Sequence, residues 1–292
     1  MSSSLLRPLR EEDAAEVAAL FVECFGAARS IDAEEIRTWL ANAEFEPDWL
    51  RVLERHGRVV GYGDIWPQAD DLWLDVAAQG HEEVFFDWAE GEARARGIGR
   101  VRVQIPHGHE LASFAEACGY ARWRHSFTME IDLTEPPVRS QPPPGIELRS
   151  YREDDTEALL VGLNTAFAED PFWHEVTPRN FREFYLGARG FDPSLWLLAW
   201  DGAALAGFVL NYPEHGSDLD LGFVNTLGVC PPWRRRGLGE SLLRTSFAEL
   251  YARGRRRVGL GVDAQNVTGA VRLYERVGMR QIRRSDNWQK DV

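Results

Sequence analysis

Apolar residues recur at helical spacing through Ala14–Phe25 and again through Thr156–Phe167. A short alternating stretch and an acidic cluster precede each run, the pattern of a strand leading into a helix start. Period-two alternation returns at Arg100–Ile105 and Arg257–Val262, each time after an amphipathic helix closed by Ala95-Arg96-Gly97 or Ala252-Arg253-Gly254. Val59–Gly63 and Ala204–Val209 read as hairpin strands that follow turns at Gly57 and Asp201-Gly202. Each half of the chain therefore reads strand, helices, about three antiparallel strands, helix, strand, helix, strand. Strand runs flanked by helices predict an α/β (α+β) fold with a mixed, mostly antiparallel twisted sheet in each half.

The two halves resemble each other. Leu6-Arg7-Pro8-Leu9-Arg10-Glu11-Glu12-Asp13 matches Leu148-Arg149-Ser150-Tyr151-Arg152-Glu153-Asp154-Asp155. Glu116, Gly119, Arg124, Ser126 and Asp132 match Glu275, Gly278, Arg283, Ser285 and Asp291 without a gap. The common order of these short matches points to duplication of one unit. Between them, residues 135–145 hold five prolines in eleven positions, which no helix or central strand accepts. The expected organisation is an N-terminal unit over 1–134, a connector over 135–145 and a C-terminal unit over 146–292.

Composition excludes several classes. The longest apolar runs, Leu195–Trp200 and Ala203–Leu210, fall far short of the ~20 residues of a membrane span. No basic region followed by an apolar core opens the sequence, so no secretory signal and a cytoplasmic location are expected. The three cysteines are odd in number and widely spaced, which fits a reducing compartment rather than a disulfide framework. The net charge of −13 argues against nucleic acid as a partner. That charge is uneven: the last 72 residues sum to +8 and the rest to −21. An anionic ligand at the basic end and a cationic one at the acidic body would both suit this division.

The chemistry concentrates where the basic end begins. An apolar strand through Leu227-Gly228-Val229 stops at Pro231-Pro232 and is followed by Arg234-Arg235-Arg236-Gly237-Leu238-Gly239-Glu240-Ser241 and an apolar-periodic helix from Leu242. Amides at a helix start lack intrahelical acceptors, glycine permits close approach, and arginine adds fixed charge. A phosphate or pyrophosphate site is predicted at 234–241. The spacing fits neither a Walker loop, which needs a Lys, nor the dinucleotide fingerprint, whose third glycine would fall at Leu242.

Arg234-x-x-Gly237-x-Gly239, after Leu227-x-Val229 and Pro231, resembles the acetyl-CoA signature of the GNAT superfamily. Val262–Asn266 and Ala270–Met279 resemble its second signature. The tandem arrangement is similar to mycothiol synthase and its relatives, in which the C-terminal unit is the active one. The resemblance implies acetyl-CoA as co-substrate and an N-acetyltransferase acting on a primary amine by direct attack. It assigns the pantetheine amides to the backbones of Leu227 and Val229, the pyrophosphate to the amides of Arg235–Glu240 with Ser241, the pantetheine arm to Asn266, and proton donation to the departing thiolate to Tyr274. Asn266 lies one residue further from Tyr274 than is usual, with Gly269 inside the interval, and could equally be a helix N-cap. A catalytically idle acyl-CoA sensor is the alternative reading.

The first half has lost these features. Ala115 stands where Tyr274 would be, His107 where Asn266 would be, and no Arg-x-x-Gly-x-Gly precedes its helix at Glu83–Arg96. One CoA site per chain is therefore expected. His107-Gly108-His109-Glu110 lacks the further ligands of a closed metal site and reads as a surface loop, so no metal is expected. For a small-molecule amine acceptor, the loops 168–176 and 213–225 supply candidates: Glu169, Asp170, Trp173, His174 and Glu175 in the first, and Glu214, His215, Asp218, Asp220 and Asn225 in the second. The cluster of Asp170, Trp173, His174 and Glu175 combines acidic and aromatic groups suited to a cation.

Overall fold

The computed structural model describes residues 5–29, 31–41, 46–68, 70–170, 173–188, 190–214, 218–266 and 269–292. The first half runs β1 (Leu5–Pro8), α1 (Ala14–Phe25), α2 (Ala33–Ala41), β2 (Leu50–Arg55), β3 (Arg58–Gln68), β4 (Asp71–Ala78), α3 (Glu82–Arg96), β5 (Arg100–Pro106), α4 (Leu111–Ala117) and β6 (Ala121–Asp132). The second runs β7 (Ile146–Ser150), α5 (Thr156–Ala166), α6 (Pro178–Asn180), β8 (Trp196–Asp201), β9 (Ala204–Tyr212), β10 (Leu221–Val229), α7 (Leu238–Ala252), β11 (Arg257–Asp263), α8 (Ala270–Arg276) and β12 (Arg280–Asp291). Among the described residues no helix is long and apolar enough to cross a membrane.

The chain forms two compact units, one of residues 1–125 with 284–292, the other of residues 126–283. The terminal strands are exchanged. Ser285–Asp291 of β12 lies antiparallel to β5 in the first unit, and Ser126–Asp132 of β6 lies antiparallel to β11 in the second. This division differs from the boundary expected at the proline-rich connector, residues 135–145. Linear spacing carries no information on which strand edge a terminal segment will join.

The first unit orders its strands β1-β2-β3-β4-β5-β12. Its α1 and α2 bury Val17, Phe21 and Ile36, and α3 buries Phe85 and Phe86. The repeated Arg-x5-Asp of the sequence has a physical role here. Arg7 binds Asp13 through both nitrogens at 2.7 and 2.8 Å, and the same carboxylate accepts the Arg10 amide, closing the turn before α1. Arg149, Asp155 and Arg152 repeat the arrangement before α5. In both cases the cationic partner and amide hold the carboxylate below its ordinary range, against the cost of burial.

A buried carboxyl stands out in this unit. Asp64 on β3 is 7% exposed, lies opposite Asp75 on β4, and accepts a hydrogen bond from the Tyr62 hydroxyl at 2.8 Å. Asp75 pairs with Arg29. Burial pushes the Asp64 carboxyl up to about 6 despite the Tyr62 bond and the charge of Arg29.

The second unit orders its strands β6-β11-β10-β9-β8-β7. One core layer gathers Leu238, Leu242, Phe247, Val258, Leu260 and Tyr274. Another gathers Leu159, Leu163, Phe181, Trp196, Phe208 and Leu210. Helix α7 begins at Leu238, four residues before the sequence places it, so Leu238–Ser241 form its first turn.

Candidate active site

Two interruptions of the second unit's sheet open the site. The first is a bulge: Val224 pairs with Asn211 and Thr226 with Leu210, leaving Asn225 without a partner on β9. The second is a parting of strands. The parallel ladder of β10 and β11 holds only Leu221–Arg257, Gly222–Val258 and Phe223–Gly259. Beyond it β10 continues along β9 and β11 along β6. The edges of Thr226–Val229 and Leu260–Asp263 therefore face an open wedge.

The direction of the backbone groups follows from one bond. The Cys230 amide donates to the Ala206 carbonyl on β9. Alternation then turns Gly228 toward β9 as well, and directs Leu227 and Val229 to the open side. Arg234 Nε already donates to the Val229 carbonyl at 3.1 Å, while the Val229 amide stays available.

The loop after β10 folds to expose amides. Arg235 takes a φ of 60° and Gly237 a φ of 85°. Left-handed backbone at Gly237 suits glycine, and it turns the chain into α7. The first bond of this turn runs from the Ser241 amide to the Gly237 carbonyl. Among the described residues, no amide from Arg235 to Glu240 finds an acceptor. A Cβ at Gly239 would lie 3.2 Å from Leu273 Cδ2 and 3.6 Å from Val229 Cγ2, so α8 and β10 already line this turn.

The side chains divide into braces and free groups. Arg234 is a brace: besides Val229 it binds the Ala166 carbonyl at 3.0 Å and Glu169 at 2.8 Å. Arg235 and Arg236 are exposed. Glu240 pairs with Arg244 at 2.9 Å, and Arg276 stands 3.8 Å from it. Ser241 departs from expectation. The residue is buried, 1% exposed, and its hydroxyl donates to the Ser140 carbonyl of the connector, because position 241 points into the core face of α7. Leu238 is likewise buried, so only its amide faces the loop.

Tyr274 lies on α8, 7% exposed, and burial pushes its phenol up to about 12. Among the described residues no side chain bonds its hydroxyl. Asn266 is not the N-cap of this helix. Gly269, with a φ of 78°, holds that position, and Asn266 sits in the turn after β11, its amide on the Asp263 carbonyl.

On the acceptor side Asp170 and Trp173 share one turn, the Trp173 amide donating to the Asp170 carbonyl at 3.0 Å. The Trp173 indole stacks on Phe167 at 4.5 Å and donates to Asn164 Oδ1 at 3.2 Å, which anchors the loop. Asn164 fixes the same loop by bonding both backbone groups of Val176. His174 and Asp170 are half-buried, and Glu175 and Asn225 are exposed. Glu214 and Asp218 pair with Arg255 and Arg257. His215 lies outside the described residues. One residue that the sequence does not single out stands at the bulge: Thr226, buried, whose hydroxyl accepts from Asn225 Nδ2 at 3.1 Å.

The first unit parts its parallel strands too, the β4–β5 ladder ending at Leu74–Val103, but it lacks the bulge. Its β3–β4 register runs unbroken from Gly61–Ala78 to Gln68–Asp71. Phe85, in the first turn of α3, presses on β3 so closely that a Cβ at Gly61 or Gly63 would meet its ring at 2.6 or 2.4 Å. His107 bonds Asp286 at 2.7 Å, and His109 bonds the Cys24 carbonyl and lies against the Phe25 ring at 5.0 Å, tilted by 37°. Among the described residues no group of three or more His, Cys, Asp or Glu could hold a metal ion.

Comparison with known proteins bears on the family and the fold. The acetyltransferase (GNAT) family pattern matches residues 149–279. Mycothiol acetyltransferase of Beutenbergia cavernae is 32% identical over 265 residues, covering 86% of each chain. In relatives of the same name from Catenulispora acidiphila and Thermobispora bispora, the matched stretch spans 66% and 60% of the relative. A GCN5-related N-acetyltransferase from Sphaerobacter thermophilus superposes with a TM-score of 0.82 at 27% identity, over 99% of this chain and 95% of that one. A tandem GNAT protein from the clavulanic acid biosynthesis pathway shares the fold, with a TM-score of 0.75 at 18% identity over 99% and 98%.

Proposed function

This chain belongs to the GNAT family of acetyltransferases, and on that premise we propose that its C-terminal unit transfers acetyl from acetyl-CoA to the primary amine of a small-molecule acceptor. The observation that carries the reading is the run of unaccepted amides at Arg235–Glu240, beside a strand edge that turns Leu227 and Val229 to an open wedge. Such a loop fits a pyrophosphate, and free strand amides fit the amides of a pantetheine arm. Arg235 and Arg236 would add charge to the pyrophosphate, and Asn266 would meet the arm at the far side of the wedge. Arg234 keeps the loop in register. The relatives named mycothiol acetyltransferase support a small molecule as acceptor.

Acetyl-CoA supplies an activated thioester. The protein's part is to bind it, to present a neutral amine and to receive charge on sulfur. Asp170 and Glu175 would attract the ammonium form, and with His174 they are the groups near enough in sequence to take its proton, directly or through water. The amine nitrogen then bonds the acetyl carbon as the carbon–sulfur bond breaks. Tyr274, neutral and buried at the end of this path, would donate to the departing sulfur.

Acetyl-CoA turnover with a panel of primary amines, including the acceptor of the mycothiol acetyltransferases, tests the reading. We expect at least one amine to accelerate CoA release in the wild type and the acceleration to fall in Tyr274→Phe. Binding of acetyl-CoA without any amine-dependent release would instead leave an idle acyl-CoA module.

A further inference from the structure

The arginines of the second unit differ in how they are neutralised. Arg149, Arg253, Arg255 and Arg257 each meet a carboxylate. Around the first turn of α7 this pattern fails. Arg235, Arg236 and Arg272 are exposed and, among the described residues, have no ion-pair partner. One carboxylate, Glu240, stands between Arg244 and Arg276. Five arginines thus share a single acid, in a chain whose net charge is −13. Like charges gathered this closely repel one another, and the patch is suited to an anion.

Contacts between α7 and α8 place the patch beside the amide loop. Leu273 of α8 lies against the first turn of α7, its Cδ2 3.2 Å from where a Cβ of Gly239 would stand. Three residues on, Arg276 Nη1 comes within 3.8 Å of Glu240 Oε2. Glu240 Oε1 accepts from Arg244 Nε at 2.9 Å. The Glu240 amide is the last of the run that finds no acceptor, so its carboxylate begins where the cradle ends. Arg244 stands one turn further, about 6 Å along the helix at ~1.5 Å per residue. Among the described residues its two Nη nitrogens donate to nothing. Both guanidiniums are open to solvent, the side chains of Arg244 and Arg276 being 36% and 64% exposed. An exposed pair four residues apart on a helix contributes little, so Glu240 yields readily to a stronger anion.

The anion follows from the function proposed above, on which this inference rests. Acetyl-CoA carries its pyrophosphate between the pantetheine arm and an adenosine, and the ribose of that adenosine bears a third phosphate on its 3′ oxygen. That phosphate sits one ribose away from the pyrophosphate, within reach of an arginine one turn beyond the last amide of the cradle. We propose that Arg244 and Arg276, gathered about Glu240, bind the 3′-phosphate and make the chain selective for CoA thioesters over their 3′-dephospho forms. A phosphate offers three oxygens to two guanidinium forks, a better match than one shared carboxylate. Arg244 and Arg276 are specificity-determining contacts for the donor, and Arg235, Arg236 and Arg272 add to the field that draws it in.

The test is isothermal titration of acetyl-CoA and of acetyl-3′-dephospho-CoA, which keeps the thioester, the arm and the pyrophosphate. At low salt the wild type is expected to bind acetyl-CoA about tenfold more tightly, the scale of two exposed charge-assisted contacts, and the preference should shrink as salt is raised. Arg244→Gln and Arg276→Gln should each lower the ratio to about threefold, and the double variant should bring it near one. Arg276→Lys keeps the charge but loses the fork, and should retain part of the preference. Affinity for acetyl-3′-dephospho-CoA should stay within about twofold of wild type in every variant, which a damaged loop would not allow. Equal binding of the two ligands by the wild type, a ratio that survives in the double variant, or a joint loss of both affinities there overturns the inference while the transferase reading stands. If the wild type binds neither ligand, that reading falls and the inference with it.

Discussion

Replacing Tyr274 with Phe removes one hydroxyl and little else. The ring remains in the core beside Leu238, Leu242 and Val262, and no described partner is orphaned, so the fold should hold. The magnitude follows from the phenol's environment. Burial pushes Tyr274 up to about 12, whereas a thiol ionises near ~8.5. Complete proton transfer to the departing thiolate would be uphill by about 5 kcal/mol at ~1.4 kcal/mol per pKa unit. Tyr274 is therefore better suited to hold its proton in a hydrogen bond to the forming thiolate than to surrender it. A hydrogen bond to a charged group contributes about 1.5–3 kcal/mol, or roughly 10- to 150-fold in kcat. Steady-state CoA release by wild type and Tyr274→Phe, measured from pH 6 to 9, checks this. The ratio of the two rates should stay flat, because the phenol's required protonated form persists until pH approaches 12. An unchanged kcat, or a ratio that changes stepwise inside that range, would refute the reasoning.

Two other consequences are open to direct measurement. Gly239→Ala should bind acetyl-CoA nearly as wild type does, because the new Cβ meets the movable end of Leu273 at 3.2 Å. Gly239→Asp places a negative charge among the free amides and should weaken binding at least tenfold by calorimetry; equal affinities for the two variants would place the anion elsewhere. In the first unit, Asp64 is held up at about 6 against ~3.9 unfolded, so its protonated form favours the fold. That contribution is complete below pH ~4 and lost as pH rises through 6, a difference of about 3 kcal/mol. Asp64→Asn keeps an acceptor for the Tyr62 hydroxyl and should raise the melting temperature at pH 8 but not at pH 4. The same shift at both would contradict the assignment.

Much of this site is written in short-range signals. The helices α1 and α5 follow from periodicity, because each buries one face: Ala14, Val17, Leu20 and Phe21 in the first, Leu159, Gly162, Leu163 and Ala166 in the second. The amide loop is legible because Gly237 and Gly239 each answer a local need, one for a left-handed turn and one for close approach to Leu273. What escaped the sequence depends on non-local pairing. The bulge at Asn225 is defined by the partners Asn211 and Leu210, and no residue type at 225 announces it. The contacts of Trp173 with Phe167 and Asn164 likewise come from the way the loop folds back on α5. Ser241 looked available as the eighth residue of a basic loop. The early start of α7 rotates it inward to Ser140.

The central claim is that only the second unit is built to hold acetyl-CoA. Isothermal titration of acetyl-CoA into the full chain tests it most directly. The amides of Arg235–Glu240 and the bulge at Asn225 predict one site per chain, since the first unit has no Arg-x-x-Gly-x-Gly loop, an unbroken β3–β4 ladder and Phe85 pressed on β3. Two equal sites, or no binding at all, would contradict the account.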